Sequence, residues 1–131
     1  MTGKNYHLPT ELQWEYATRG NQDPLTIYPW GDEIGKNKAN CAECGSDWDH
    51  KSTAPIGSFP AYGFGLYDTS GNVGEWVQDC DDATEAEINC SQRVPRGGSW
   101  LDEPVWLRSA NRFRFPTGTR LDRFGFRLAQ D

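Results

Sequence analysis

Apolar and polar residues keep a helical period in only one part of this chain. Leu12, Tyr16 and Arg19 recur at i, i+4 and i+7 and predict a short amphipathic helix over residues 11–19. Pro9 precedes it, Thr10 and Gln13 stand at capping-box spacing, and Gly20 follows as a stop. Trp14 and Tyr16 are expected in the core, which large aromatics readily fill. From Asn21 to Pro60 periodicity disappears, because Pro and Gly interrupt every candidate element. So long a stretch inside a compact domain needs something to fix it. Strand-like aromatic alternation returns over 62–77. Three further strands are predicted at 93–101, 106–113 and 124–129. Alternation puts Phe113 and Phe115 on one face and Arg112 and Arg114 on the other.

The 131 residues fit one domain with one core. That core must be aromatic, because 6 Trp, 6 Phe and 5 Tyr stand among few aliphatic residues, with 14 Gly and 8 Pro between them. The net charge of −6 is unevenly placed: residues 1–92 hold 5 Lys and Arg against 15 acids, and residues 93–131 hold 8 Arg against 4 acids. Arginines spaced among aromatics suit internal pairing with carboxylates, since the planar guanidinium forms bidentate bonds in partly buried places. An acidic chain lacks the broad positive field of a nucleic-acid binder, so no nucleic-acid partner is expected. No apolar run approaches the ~20 residues of a membrane span, and no membrane insertion is expected.

Two features carry candidate chemistry. Cys41 and Cys44 form a Cys-x-x-Cys, with Cys80 and Cys90 bounding an acidic loop. These four read as two local disulfides, as a zinc site of unusual spacing, or as free thiols; disulfides would favour an exterior location. The run from Asp68 to Trp76 holds Asp68, Asn72 and Glu75 with glycines between them, an oxygen-rich composition suited to a hard cation. Asn40, Asp47 and Asp49 make a second, looser set.

His7-Leu8-Pro9-Thr10-Glu11, Tyr28-Pro29-Trp30-Gly31, Gly63-Phe64-Gly65-Leu66-Tyr67-Asp68, Gly71-Asn72-Val73-Gly74-Glu75-Trp76, Arg96-Gly97-Gly98-Ser99-Trp100 and Gly125-Phe126-Arg127 together resemble the formylglycine-generating-enzyme, or sulfatase-modifying factor, family. The resemblance implies a loop-rich α+β C-type-lectin-like fold with structural Ca²⁺. It places one ion on Asp68 and Glu75 and the carbonyls of Gly71 and Val73, and a second on Asn40, the Cys41 carbonyl and Asp49. The family's copper-binding cysteines fall on Asp102 and Leu107, so its oxidase activity is not expected. The related ergothioneine-pathway enzymes use a separate iron-binding bundle that has no counterpart here; an oxidase or ergothioneine-pathway-like homologue working through a rearranged site at Cys80 or Cys90 is the alternative reading. The family's usual N-terminal strands and helix have no match in this chain. Gly74 stands where the family commonly has a large aromatic, and a gap beside the ion is expected there.

After Arg93, framework residues alternate with others that follow no family pattern. This resembles the variable proteins of diversity-generating retroelements, which present variable residues on one face of a C-type-lectin fold. Most of the interspersed types are reachable from an asparagine codon by changes in its first two bases, although Glu103 and Trp106 are not. The resemblance implies a ligand face of Leu101, Asp102, Glu103, Val105, Trp106, Phe113, Phe115, Leu121, Asp122 and Phe124, with a protein or glycan as its ligand.

Overall fold

The computed structural model describes residues 3–81 and 90–131; the acidic loop expected between Cys80 and Cys90 lies largely outside them. The predicted helix forms as α1, Glu11–Arg19. The Thr10 hydroxyl accepts from the Gln13 N–H at 3.1 Å, and the Gln13 side chain accepts from the Thr10 N–H at 3.0 Å. The Gly20 N–H closes the helix on the Tyr16 carbonyl at 2.9 Å.

The buried face of α1 differs from the predicted one. Trp14 and Thr18 are buried, whereas Leu12 is 80% and Tyr16 63% exposed. The reason is a charge. Arg96, 2% exposed, bonds Glu11 Oε1 at 3.0 Å, Glu15 Oε1, and the Ser109 carbonyl at 2.6 Å, with its guanidinium 5.0 Å over the Trp14 ring. A guanidinium buried this deeply has to be met by carboxylates. Glu11 and Glu15 therefore turn inward with Trp14, and Leu12 and Tyr16 turn out.

The strands are pairs of residues. β1 (Tyr6–His7) lies antiparallel to β6 (Ala129–Gln130), β2 (Gly74–Glu75) parallel to β5 (Phe124–Gly125), and β3 (Gln92–Arg93) antiparallel to β4 (Phe115–Pro116). Bridges from Glu75 to Arg96 and from Cys80 to Arg93 join β2 and β3 into one irregular patch. The three longer strands predicted after Arg93 do not form as drawn. The first breaks at Gly97 and Gly98, whose φ values of 96° and 73° end any extended run. The second begins instead as a 3-10 helix, Pro104–Leu107, which contains Trp106. The third shrinks to β5, with β6 a separate pair.

One core cluster gathers Tyr28, Ala39, Cys41, Cys44 and Leu107 around a Cys41–Cys44 disulfide, and a second disulfide joins Cys80 to Cys90. The three readings of the cysteines thus resolve to disulfides. The aperiodic region is fixed largely by Asn72, which is 6% exposed. Its Oδ1 accepts from the Ala54 N–H at 2.8 Å and from Asn40 Nδ2 at 3.3 Å, and its Nδ2 donates to the Ala54 carbonyl at 3.2 Å. Asn40 Nδ2 also reaches the Ser52 carbonyl at 2.9 Å. Two buried amides thereby tie residues 40–54 to the turn before β2.

Candidate functional site

The last third of the chain carries a row of rings. Trp106 and Phe113 have centroids 4.4 Å apart, Phe113 and Phe115 6.1 Å, Phe115 and Phe124 4.8 Å, and Phe124 and Trp76 5.1 Å. Pairing of β4 with β3 sets Phe115, and pairing of β5 with β2 sets Phe124. The flanking arginines are held by acids: Arg112 Nε donates to Glu11 Oε1 at 2.5 Å, and Arg114 Nε lies 3.2 Å from Asp81 Oδ2. Burial works to raise the Glu11 carboxyl's pKa, but the guanidinia of Arg112 and Arg96 outweigh it and hold the carboxyl below its ordinary value. The pairing predicted from composition is therefore what orders this segment. Phe113, 38% exposed, stays at the surface.

Beside the row lies a cavity of about 180 Å³ that Asp102, Asn111, Phe113, Phe115, Arg123 and Phe124 help to line. Asp102 is fixed there, since one of its oxygens accepts from both the N–H and the hydroxyl of Ser99 at 2.9 Å. Of the ten residues expected on the ligand face, the structure brings Asp102, Phe113, Phe115 and Phe124 to this cavity, with Trp106 against Phe113. Leu101, Val105 and Leu121 are exposed at 38%, 44% and 40%, and Glu103 and Asp122 are exposed too. Sequence reasoning missed Asn111 and Arg123. The Arg123 guanidinium lies 5.8 Å over the ring of Phe124, the next residue.

The missing aromatic at Gly74 has a different consequence from the one expected. A Cβ at Gly74 would stand 3.1 Å from the Phe124 ring and 3.6 Å from Pro95, so the freed space is on the ring row and this cavity, with Phe124 already leaning into it.

Asp68, Val73 and Glu75 meet at a separate cavity of about 340 Å³, together with Arg127. Glu75, 2% exposed, is bound through both oxygens by Arg127, whose Nη2 also donates to the Tyr67 carbonyl at 2.7 Å. Burial pushes the Glu75 carboxyl up; Arg127 opposes this and the Asp68 charge adds to it. Burial also pushes Asp68 up, against the Gly57 N–H 3.3 Å away and the charge of Arg127. Asp68 offers this cavity a weakly partnered carboxylate, the donor type a hard cation takes, while both Glu75 oxygens are occupied by the Arg127 guanidinium that lines the same cavity. Gly71 sits apart: a Cβ there would be 2.4 Å from the Asn40 carbonyl oxygen.

The second donor set does not fit. Asp49 Oδ2 accepts from the Cys44 and Gly45 N–H groups at 2.7 and 2.6 Å, and Oδ1 from the Ser46 N–H and hydroxyl at 3.1 and 2.6 Å. Those four bonds make Asp49 the cap of a turn. The Asn40 side chain is spent on Ser46, Ser52 and Asn72, and Cys41 lies in the core.

Residues 1–131 match the sulfatase-modifying factor enzyme 1-like domain. The chain belongs to that family. A protein of Chlamydia caviae named serine/threonine-protein kinase pkn1 is 37% identical over 94% of this chain and 21% of its own length. The formylglycine-generating enzyme of Mus musculus is 32% identical over 95% of this chain and 39% of its own. Among solved structures, PvdO from Pseudomonas aeruginosa superposes with a TM-score of 0.81 at 33% identity, covering 99% of this chain and 54% of PvdO. Variable protein 1 of Treponema denticola gives 0.75 at 27% identity, covering 95% and 47%. The chain thus spans between about a fifth and about half of these relatives, and their fold is the loop-rich α+β, C-type-lectin-like one. In this sulfatase-modifying-factor-type domain, Asp102 is a cavity wall and Leu107, 0% exposed, is core. The four cysteines are all in disulfides.

Proposed function

We propose that this domain is a non-catalytic ligand-binding module of the variable-protein kind, presenting residues 101–124 on a Ca²⁺-stabilised scaffold. The observation that carries this reading is the surface row from Trp106 to Phe124 around a cavity in which a carboxylate, Asp102, stands at a position of the family's cysteines. Clustered aromatics with a few fixed polar groups suit recognition of a protein or glycan surface. Variable protein 1, among the solved relatives, has the same fold under a name that matches this use. Oxidation of a cysteine through a pair of site thiolates has no thiolates to use, since Asp102 is a carboxylate and Leu107 is apolar. With copper, oxygen and a cysteine-containing peptide, the expected outcome is no aldehyde product by mass spectrometry. Turnover that survives removal of contaminating enzymes would overturn the non-catalytic reading.

Asp68 and Glu75 would hold the Ca²⁺, Glu75 by exchanging its two Arg127 bonds for the ion, which would supply charge neutralisation and rigidity before β2. Their folded-state pKa values are raised, so their contribution is fully favourable below the unfolded pKa and is lost as pH rises through the folded one. At pH 7 the ion-free fold carries that penalty, and a cation relieves it. Chelation is expected to lower the thermal midpoint by about 9–13 °C when the ion is present at ~100 times its dissociation constant. Asp68→Asn removes the calcium response, and the response shrinks toward pH 4. An unchanged midpoint with chelator in scanning calorimetry would contradict the assignment.

A further inference from the structure

We infer that the groove between β1, the Trp76–Gln78 segment and the 117–120 turn is a second binding site, which takes an acidic peptide segment bearing an aromatic residue. The groove encloses about 660 Å³, within the ~300–1,000 Å³ range of formed ligand sites, and is separate from the ring-row cavity. Its apolar wall includes Trp76 and Phe126, and Phe126 is 66% exposed. With Leu8, Trp76 and Val77 on the same groove it makes a contiguous apolar wall, the kind of patch that marks a contact surface.

Charge decides the ligand. The chain carries −6 overall, yet among the described residues the charged and titratable ones lining this groove are His7, Arg93 and Arg120, with no acid. Each is positioned by a different part of the fold. His7 sits in β1, where Nδ1 lies 2.8 Å from the Leu8 carbonyl and Nε2 2.9 Å from Asp131, so both ring nitrogens face acceptors and the imidazolium is favoured. Asp131 balances that charge and leaves the two arginines in excess. Arg93 sits in β3 with Nη1 donating to the Gln78 carbonyl, which fixes its planar fork against the groove. Arg120 is exposed on the turn that the Thr119 N–H closes on the Pro116 carbonyl at 2.9 Å. Forked guanidinia beside aromatic faces match carboxylates flanking a ring, with the ring packing on Trp76 and Phe126. A nucleic acid fits less well, because phosphate runs need a broad positive field and this chain has a few cations on an acidic body.

The test is calorimetric titration of the intact chain with acetyl-Glu-Glu-Phe-Glu-Glu-amide and with its all-Gln counterpart, at low and at physiological salt. The acidic peptide is expected to bind at least tenfold tighter than the Gln peptide. Arg120→Glu should weaken it at least tenfold with an unchanged thermal midpoint, as fits an exposed side chain. Arg93→Gln should weaken it too, and a fall in midpoint there would report the lost Gln78 bond, which Arg120→Glu does not touch. Phe113→Ala with Phe115→Ala, on the ring row, should leave peptide binding intact, so this site and the ring-row ligand face stand or fall separately. Equal affinity for the two peptides, no binding of either, indifference to Arg120→Glu, or tighter binding of an oligothymidylate would overturn the inference.

Discussion

Arg96→Ala is expected to lower the thermal midpoint by about 10–15 °C. Removing one partner of a buried ion pair costs about 3–5 kcal/mol, because the other partners keep their desolvation penalty. In this chain, Glu11 and Glu15 would lose the guanidinium they share, and the Ser109 carbonyl and the Trp14 ring face would lose their partner. Glu15 is a third exposed at its side chain and can rehydrate, so the lower end, about 3 kcal/mol, is the expected value. For a domain of this size that is about 10–15 °C. Arg96→Lys keeps the charge but cannot span two carboxylates and a carbonyl, and should recover less than half of the loss. Acid titration gives an independent check. The folded pKa of Glu11 lies below its unfolded value, so its contribution is present above the unfolded pKa, near 4.5, and is lost as pH falls through the folded one. Arg96→Ala should flatten the stability profile in that acid window. A midpoint within 3 °C of the parent would mean that the helix docks through Trp14 and Thr18 alone.

Asn72→Ala is expected to cost a similar amount, about 3 kcal/mol. The side chain meets three polar groups, two of them on Ala54, and its loss strands the Ala54 N–H in a buried place, at a cost of about 1–3 kcal/mol. Alanine must also adopt φ near 67°, which adds about 1 kcal/mol. Asn72→Gly separates the two terms, since glycine accepts the backbone but makes no amide bonds. Denaturant unfolding should therefore order the three as Asn72, then Asn72→Gly, then Asn72→Ala. If Gly and Ala variants match the parent, the amides do not hold residues 40–54.

These two side chains also show what was legible in the sequence. The family and its α+β class could be read from the resemblance of its motifs, and helix α1 with its capping box and the internal Arg–carboxylate pairing from residue types and spacing. The face of α1 could not. Leu12 and Tyr16 have the better apolar period, but the buried Arg96, distant in sequence, sets the orientation through Glu11 and Glu15. The extent of the strands was misjudged for a similar reason. Alternation around Trp106 and Phe113 is real, yet Pro104 starts a 3-10 turn and Gly97 and Gly98 bend the chain before a ladder can lengthen. Asp49 read as a metal ligand because a turn cap and a cation ligand use the same oxygens. Asn111 and Arg123 were missed because a cavity wall assembled from distant turns leaves no local pattern.

Binding of a ligand by residues 101–124 through the ring row is the proposal on which the function rests. The most direct measurement applies the parent and the Phe113→Ala plus Phe115→Ala variant to an array of glycans and purified extracellular protein domains. The predicted result is one or a few specific ligands for the parent, each lost at least tenfold in the variant, while the variant, though less stable for the ring contacts it loses, still unfolds in one cooperative transition well above the assay temperature. Ligands bound equally well by both proteins would contradict the claim.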